Sequence, residues 1–148
     1  MPVKGPFVRV HMDYCGPFPV IKRLNQYILL AICPMTNYII LKAVPAATAQ
    51  AAAQFILNSV VLTHGCFEEL VTDRGKHFMG NALQDVLKVL GVKHLMTSAY
   101  HPQTDGNAER SFHTLNNMLS DYVSDHHKDW NGLLHLMAWA MNTSHHSN

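Results

Sequence analysis

The 148-residue sequence holds no apolar run near the roughly 20 residues that a membrane-spanning helix needs. Its start, Met1-Pro2-Val3-Lys4-Gly5-Pro6, lacks the basic opening and apolar stretch of a secretory signal. No membrane partner is therefore expected. Its three cysteines, Cys15, Cys33 and Cys66, are far apart and odd in number. That argues against a disulfide framework and for a reducing compartment. No Cys-x-x-Cys pair or spaced His-Cys set is present, so a zinc module is not expected. Charge of one sign is also missing. The formal net charge is only +1, so composition alone does not mark a nucleic-acid binder. There is no internal repeat and no low-complexity segment.

What remains is a globular composition, 48% hydrophobic, long enough for one domain with a sizeable core. Histidine is abundant, at eleven residues. These side chains would add positive charge below about pH 6.5 or stand as neutral surface groups. The adjacent pairs His126-His127 and His145-His146 read as surface residues, because neighbours on a helix do not face together.

Hydrophobic periodicity predicts the elements. A first strand covers Phe7 to Tyr14, with Val8, Val10 and Met12 on one face and Arg9, His11 and Asp13 on the other. A near-continuous apolar strand follows from about Gln26 to Ile32, buried on both faces. A third runs from Tyr38 to Val44. Short connections make these three an antiparallel meander. Thr48 is a suitable N-cap for a helix to about Leu62, with Ala52, Phe55, Ile56 and Val60 on one stripe. Leu70 to Thr72 form a short strand, Asn81 to Leu90 a helix stopped by Gly91, and Val92 to Met96 a fifth strand. Strand–helix–strand units of this length imply parallel pairing. Thr97 to Gly106 reads as a mobile loop, followed by helices at about Ala108 to Asp125 and Trp130 to Asn142. The predicted class is α/β: a five-stranded mixed sheet, three antiparallel strands plus two parallel ones, covered by helices on both faces.

Three acidic residues sit in unusual places. Asp13 lies within a strand, where aspartate is disfavoured. Asp73 follows the carboxyl end of a parallel strand, where open sheets place ligand groups. Glu109 opens the helix after the loop. On that helix Ala108, Phe112, Leu115, Leu119 and Tyr122 form an apolar stripe, and Glu109, His113, Asn116 and Ser120 a polar one beside it. Singly, each has an ordinary reading: an edge residue, a turn former before Arg74-Gly75, and a carboxylate favoured by the helix dipole. All three in this element order point to a shared site.

The residues around them carry a specific resemblance. The stretches His11-Met12-Asp13-Tyr14-Cys15-Gly16-Pro17, Val71-Thr72-Asp73-Arg74-Gly75 and His101-Pro102-Gln103-Thr104-Asp105-Gly106-Asn107-Ala108-Glu109-Arg110 occur in that order. Residues 74–108, 35 in all, separate Asp73 from Glu109. This chain resembles the catalytic core of retroviral integrases within the ribonuclease H-like superfamily. The last stretch, with Trp139 and Asn142-Thr143-Ser144, is most similar to the gypsy-type retrotransposon branch. The resemblance spans nearly the whole chain. It implies that residues 1–148 are an integrase catalytic core, expected to be a piece of a longer protein whose zinc-binding and DNA-binding domains lie outside it.

The resemblance implies two Mg²⁺ (or Mn²⁺) ions held by Asp13, Asp73 and Glu109, with Asp13 bridging both. Such ions, about 3.5–4 Å apart, activate an attacking oxygen and stabilise a leaving one. The implied reactions are processing of DNA 3′ ends and strand transfer to target DNA. Tyr100, Pro102, Gln103, Thr104 and Asp105 occupy the family's flexible-loop positions. With Arg74, Lys76, His77, Arg110, His113 and Asn116 they are the expected DNA contacts. A homodimer or higher oligomer and a nuclear location with a cytoplasmic pool are also implied.

Several positions depart from the family. Cys33-Pro34 stands where relatives often carry Asp-Arg, Asn37 where Lys or Arg is common, and Phe112 where Asn is frequent. His113, Asn116 and Ser120 replace residues that are often basic. Phosphate contacts dominate DNA affinity, so an intact metal site with weakened DNA binding is expected. Two other readings follow. One is a domesticated integrase-fold module with lost or reduced activity, acting in protein or chromatin binding. The other is a cellular ribonuclease H, disfavoured by the 35-residue interval and the His-Pro-Gln-Thr-Asp-Gly loop.

Overall fold

The computed structural model describes residues 8–18, 25–97, 106–125 and 134–145, with side chains left aside for 106–112, 125 and 144–145. The strands are β1 (Arg9–Cys15), β2 (Tyr27–Cys33), β3 (Tyr38–Val44), β4 (Glu69–Asp73) and β5 (Lys93–Thr97). They form one sheet in the order β3-β2-β1-β4-β5. β1 pairs antiparallel with β2, and β2 with β3, while β1–β4 and β4–β5 are parallel. This is the predicted mixed sheet, and β1 is its central strand.

Helices cover both faces. On one side lie α1 (Ala49–Phe55), a π-helical stretch (Ile56–Val61), α2 (Leu62–His64) and α3 (Asn81–Leu90). Ala52, Phe55, Ile56, Val60, Leu83 and Leu87 pack there against Val10, Met12, Leu29 and Ala31. On the other side lie α4 (Gly106–Asp125) and α5 (Leu134–His145). Leu115, Leu119, Val123, Leu134 and Met141 pack there against Cys15, Ile28, Leu30, Ile32 and Ile39. β2 feeds both layers with alternate residues, which is why its sequence is apolar throughout. Thr48 caps α1 as predicted, its hydroxyl accepting the Ala51 N–H at 3.1 Å. Among the described residues no helix is long and apolar enough to cross a membrane.

Three expectations are corrected. The Arg9–His11 face of β1 is not a polar face: both side chains are buried, because α4 and α5 cover that side. Arg9 forms a salt bridge at 3.0 Å with Glu69 on the neighbouring strand. β4 extends to Asp73, so that residue ends the strand rather than following it. The final helix continues past Asn142, to His145. There Asn142 is buried and turned toward the edge strand. Its Oδ1 accepts the Ile39 N–H at 2.7 Å and its Nδ2 donates to the Ile39 carbonyl at 2.9 Å. Trp139 and Leu136, on the same helix, are 67% and 52% exposed. The predicted loop interior (98–105) and the start of the last helix at Trp130 lie outside the described residues.

Candidate active site

The parallel ladder between β1 and β4 brings two carboxylates together. Its pairs run Arg9–Glu69, Val10–Leu70 and His11–Val71. Two residues further along both strands stand Asp13 and Asp73. Parallel pairing gives the two strands one direction, so both residues lie at the carboxyl end of the sheet, and equal spacing sends both side chains to one face. That face is the one covered by α4, since Asp13 pairs with Leu30 and Cys15 with Ile28 in the α4–α5 layer. Glu109 lies in the first turn of α4; its side chain is outside the described residues.

Local bonds orient each carboxylate. The Tyr14 N–H donates to Asp13 Oδ1 at 2.8 Å. The Gly75 N–H donates to Asp73 Oδ1 at 2.7 Å. A side chain at Gly75 would collide with both Asp73 Oδ1 and the His77 ring, at 2.9 and 2.7 Å. Glycine therefore permits the turn that follows Asp73. Behind the site, the Tyr14 hydroxyl donates to the Thr48 carbonyl at 2.6 Å, tying the end of β1 to the start of α1. The Tyr14 ring stacks on Phe78, with centroids 5.5 Å apart, and meets His77 edge-on at 5.0 Å.

Electrostatics distinguish the pair. Asp73 is exposed. Asp13 is mostly covered, and burial, reinforced by the nearby negative Asp73, pushes its pKa up to about 6. Burial and the Asp13 charge push the Cys15 thiol up to about 12, which makes it an inert core group. Two hard oxygen donors of like charge, one of them desolvated, suit a divalent cation bound through carboxylates. Among the described residues no cluster of three His, Cys, Asp or Glu groups occurs.

Of the other expected site residues, Arg74 and Lys76 are exposed beside Asp73, and His113 is exposed on α4 with Asn116 half-buried. His77 is different from the expectation of a DNA-facing group. It packs edge-on against both Tyr14 and Phe78, and its Nε2 is buried without a hydrogen-bond partner. Tyr100, Pro102, Gln103, Thr104 and Asp105, and the side chain of Arg110, lie outside the described residues. A polar group that the sequence motifs did not single out lies next to Asp73: Thr72, Gln84 and His94. Thr72 Oγ is 2.8 Å from His94 Nε2, and Gln84 Nε2 is 3.1 Å from His94 Nδ1. No spacing rule links residues from β4, α3 and β5; only the sheet register joins them.

Comparison with known proteins supplies the context. The family described as "Integrase core domain" matches residues 4–102. The chain is 32% identical over 138 residues to the retrovirus-related Pol polyprotein from transposon 412 of Drosophila melanogaster, covering 93% of this chain and 11% of that protein. It is 23% identical over 143 residues to gypsy retrotransposon integrase-like protein 1 of Bos taurus, covering 97% of this chain and 28% of that protein. The chain thus spans about a tenth to a quarter of these curated relatives. Among solved structures, the catalytic core domain of BIV integrase superposes with a TM-score of 0.60 at 23% identity, over 80% of this chain and 73% of that one. A chain of the simian T-cell lymphotropic virus intasome in complex with PP2A regulatory subunit B56 gamma gives 0.64 at 19% identity, over 81% and 42%. Both show the same ribonuclease H-like fold.

Proposed function

Because the chain belongs to the integrase core domain family, we propose that it is the metal-dependent polynucleotidyl transferase core of a longer retrotransposon-type integrase. Its reactions are processing of DNA 3′ ends and their transfer into target DNA, in a nuclear setting. The observation that carries this reading is the placement of Asp13 and Asp73 on one face of neighbouring parallel strands, each two residues beyond the His11–Val71 pair.

Asp13, Asp73 and, from the sequence resemblance, Glu109 would hold two Mg²⁺ or Mn²⁺ ions. When bound, such ions supply Lewis-acid activation of the attacking oxygen and neutralise charge at the leaving one. The chain's own groups do the rest. The Tyr14 and Gly75 N–H groups each occupy one oxygen of their carboxylate and leave the other without a protein partner among the described residues. The stack of half-buried Tyr14 on buried Phe78 keeps the turn after Asp73 against the sheet. Arg74 and Lys76, exposed beside it, are placed to meet phosphate oxygens.

The test is a strand-transfer and end-processing assay on the full parent protein with Mg²⁺ or Mn²⁺. Asp13→Asn, Asp73→Asn and Glu109→Gln should each abolish turnover. A Glu109→Gln protein as active as the parent would overturn the proposal. One observation favours a second reading, a domesticated module that binds protein or chromatin. His113, Asn116 and Ser120 line the outer side of α4 where a stronger DNA track would carry positive charge. That reading predicts no metal-dependent nuclease or transfer activity in the full-length protein, and it does not need Mg²⁺ uptake in calorimetry.

A further inference from the structure

Asp73 is the last residue of β4 and opens directly into a turn, so strand pairing constrains it from one side only. Three polar side chains supply the missing constraint. Thr72, almost fully buried, places its Oγ 2.8 Å from the Asp73 carbonyl and 2.8 Å from His94 Nε2. His94 Nδ1 lies 3.1 Å from Gln84 Nε2, which also lies 2.9 Å from the Phe78 carbonyl.

The proton directions follow from chemistry. The Phe78 carbonyl only accepts, so the Gln84 atom facing it is the amide nitrogen, which only donates. His94 Nδ1 must then accept from the same NH₂ group, which puts the ring proton on Nε2. That N–H donates to Thr72 Oγ, and the Thr72 hydroxyl donates to the Asp73 carbonyl. One neutral tautomer satisfies every partner. Burial lowers the His94 pKa and favours that neutral form. A second ring proton would face the Gln84 amide hydrogens, donor against donor.

The two ends of this chain of bonds matter. One is Thr72, immediately before Asp73. The other is Phe78, which closes the turn after it and is fully buried. A single imidazole therefore joins the residues that bracket Asp73. We propose that His94, with Thr72 and Gln84, is a positioning unit that clamps the segment from Thr72 to Phe78 and so fixes the Asp73 carboxylate beside Asp13. The proposal rests on the reading of Asp73 as a metal-binding carboxylate.

A network that merely satisfies buried polar groups would, when broken, cost stability and nothing else. A positioning unit also costs metal affinity, because outer partners of a ligand are typically worth about 10-fold or more. Two measurements on the full chain separate these cases. The first is a Mn²⁺ titration by calorimetry under conditions where circular dichroism shows each variant folded. His94→Phe, which keeps a ring without its hydrogen bonds, and Thr72→Val, close in shape to the parent residue, should each weaken Mn²⁺ binding by about 10-fold. Thr72→Ser should bind as the parent does. The double variant should be no weaker than the worse single one, as expected of residues acting through one connection. Thr72→Val guards against a His94→Phe protein that fails to fold. His94→Phe and Thr72→Val proteins that bind Mn²⁺ like the parent, while Asp73→Asn does not, would overturn the proposal.

The second measurement needs no metal. The Gly75 N–H is bonded to Asp73 Oδ1, so its hydrogen exchange reports where that carboxylate sits. Exchange should quicken in His94→Phe and Thr72→Val and stay unchanged in Thr72→Ser; unchanged exchange in the first two counts against the clamp. If Asp73→Asn binds Mn²⁺ as the parent does, the metal reading falls, and the Gly75 exchange alone then decides the clamp.

Discussion

With a pKa near 6 in the fold against 3.8 in the unfolded chain, Asp13 holds its proton more tightly when folded. The sign follows from linkage: this group favours the fold below about pH 3.8, and the advantage disappears as pH rises through about 6. Above that, its ionised form costs about 3 kcal/mol in the metal-free protein. Urea midpoints for the metal-free chain should therefore fall between pH 4 and 7 relative to Asp13→Asn, which lacks the titrating carboxyl and should be the more stable protein at pH 8. A parallel pH trend in both proteins would show that Asp13 is not the source. Gly75 gives a second residue-scale prediction. Its backbone φ of −60° suits any residue, so the effect of Gly75→Ala is steric. The new methyl meets the Asp73 carboxylate and the His77 ring, which is held by Tyr14 and Phe78. Turnover should drop by about 10-fold or more, the scale of a ligand whose outer support is lost, while the melting temperature moves little.

Elements were readable where pattern and composition agree. β2 announces its double burial, and Thr48 announces α1. Thr48→Ala should cost about 1 kcal/mol of stability, measurable by chemical denaturation, because the hydroxyl bond to the Ala51 N–H is lost. The limits of pattern are equally specific. β1 alternates like a half-exposed strand, yet it is the central strand with both faces covered. The partner that makes Arg9 tolerable there is Glu69, 60 residues away, and no local window contains it. The π-helical turn at Ile56–Val61 was also invisible. Its buried residues, Ile56 and Val60, sit four apart and fit an ordinary helix as well. The two aspartates were legible because their motifs coincide with unusual positions, Asp13 inside a strand and Asp73 at the end of one. The Thr72–Gln84–His94 bonds were not, because a register joins them and a sequence does not print its register.

At the scale of the whole molecule, α5 leaves Trp139 and Leu136 largely exposed although apolar side chains of this size favour burial. If a second copy covers them, in the homodimer that the family resemblance implies, Trp139→Glu should lower the mass seen by light scattering to that of one chain without lowering the melting temperature of the monomer. The same helix does something else at the sheet border. β3 is one of the two edge strands of the sheet, and an uncovered strand border is a template for indefinite strand-by-strand growth. Asn142 answers both the N–H and the C=O of Ile39, as a neighbouring strand would. One carboxamide thus occupies the hydrogen-bonding groups that a docking strand would need at that position. Replacing it by leucine should leave the Asp13–Asp73 end of the sheet intact and yield a protein that folds, stands in solution and then deposits as amyloid-like aggregate, with a thioflavin signal that the parent lacks.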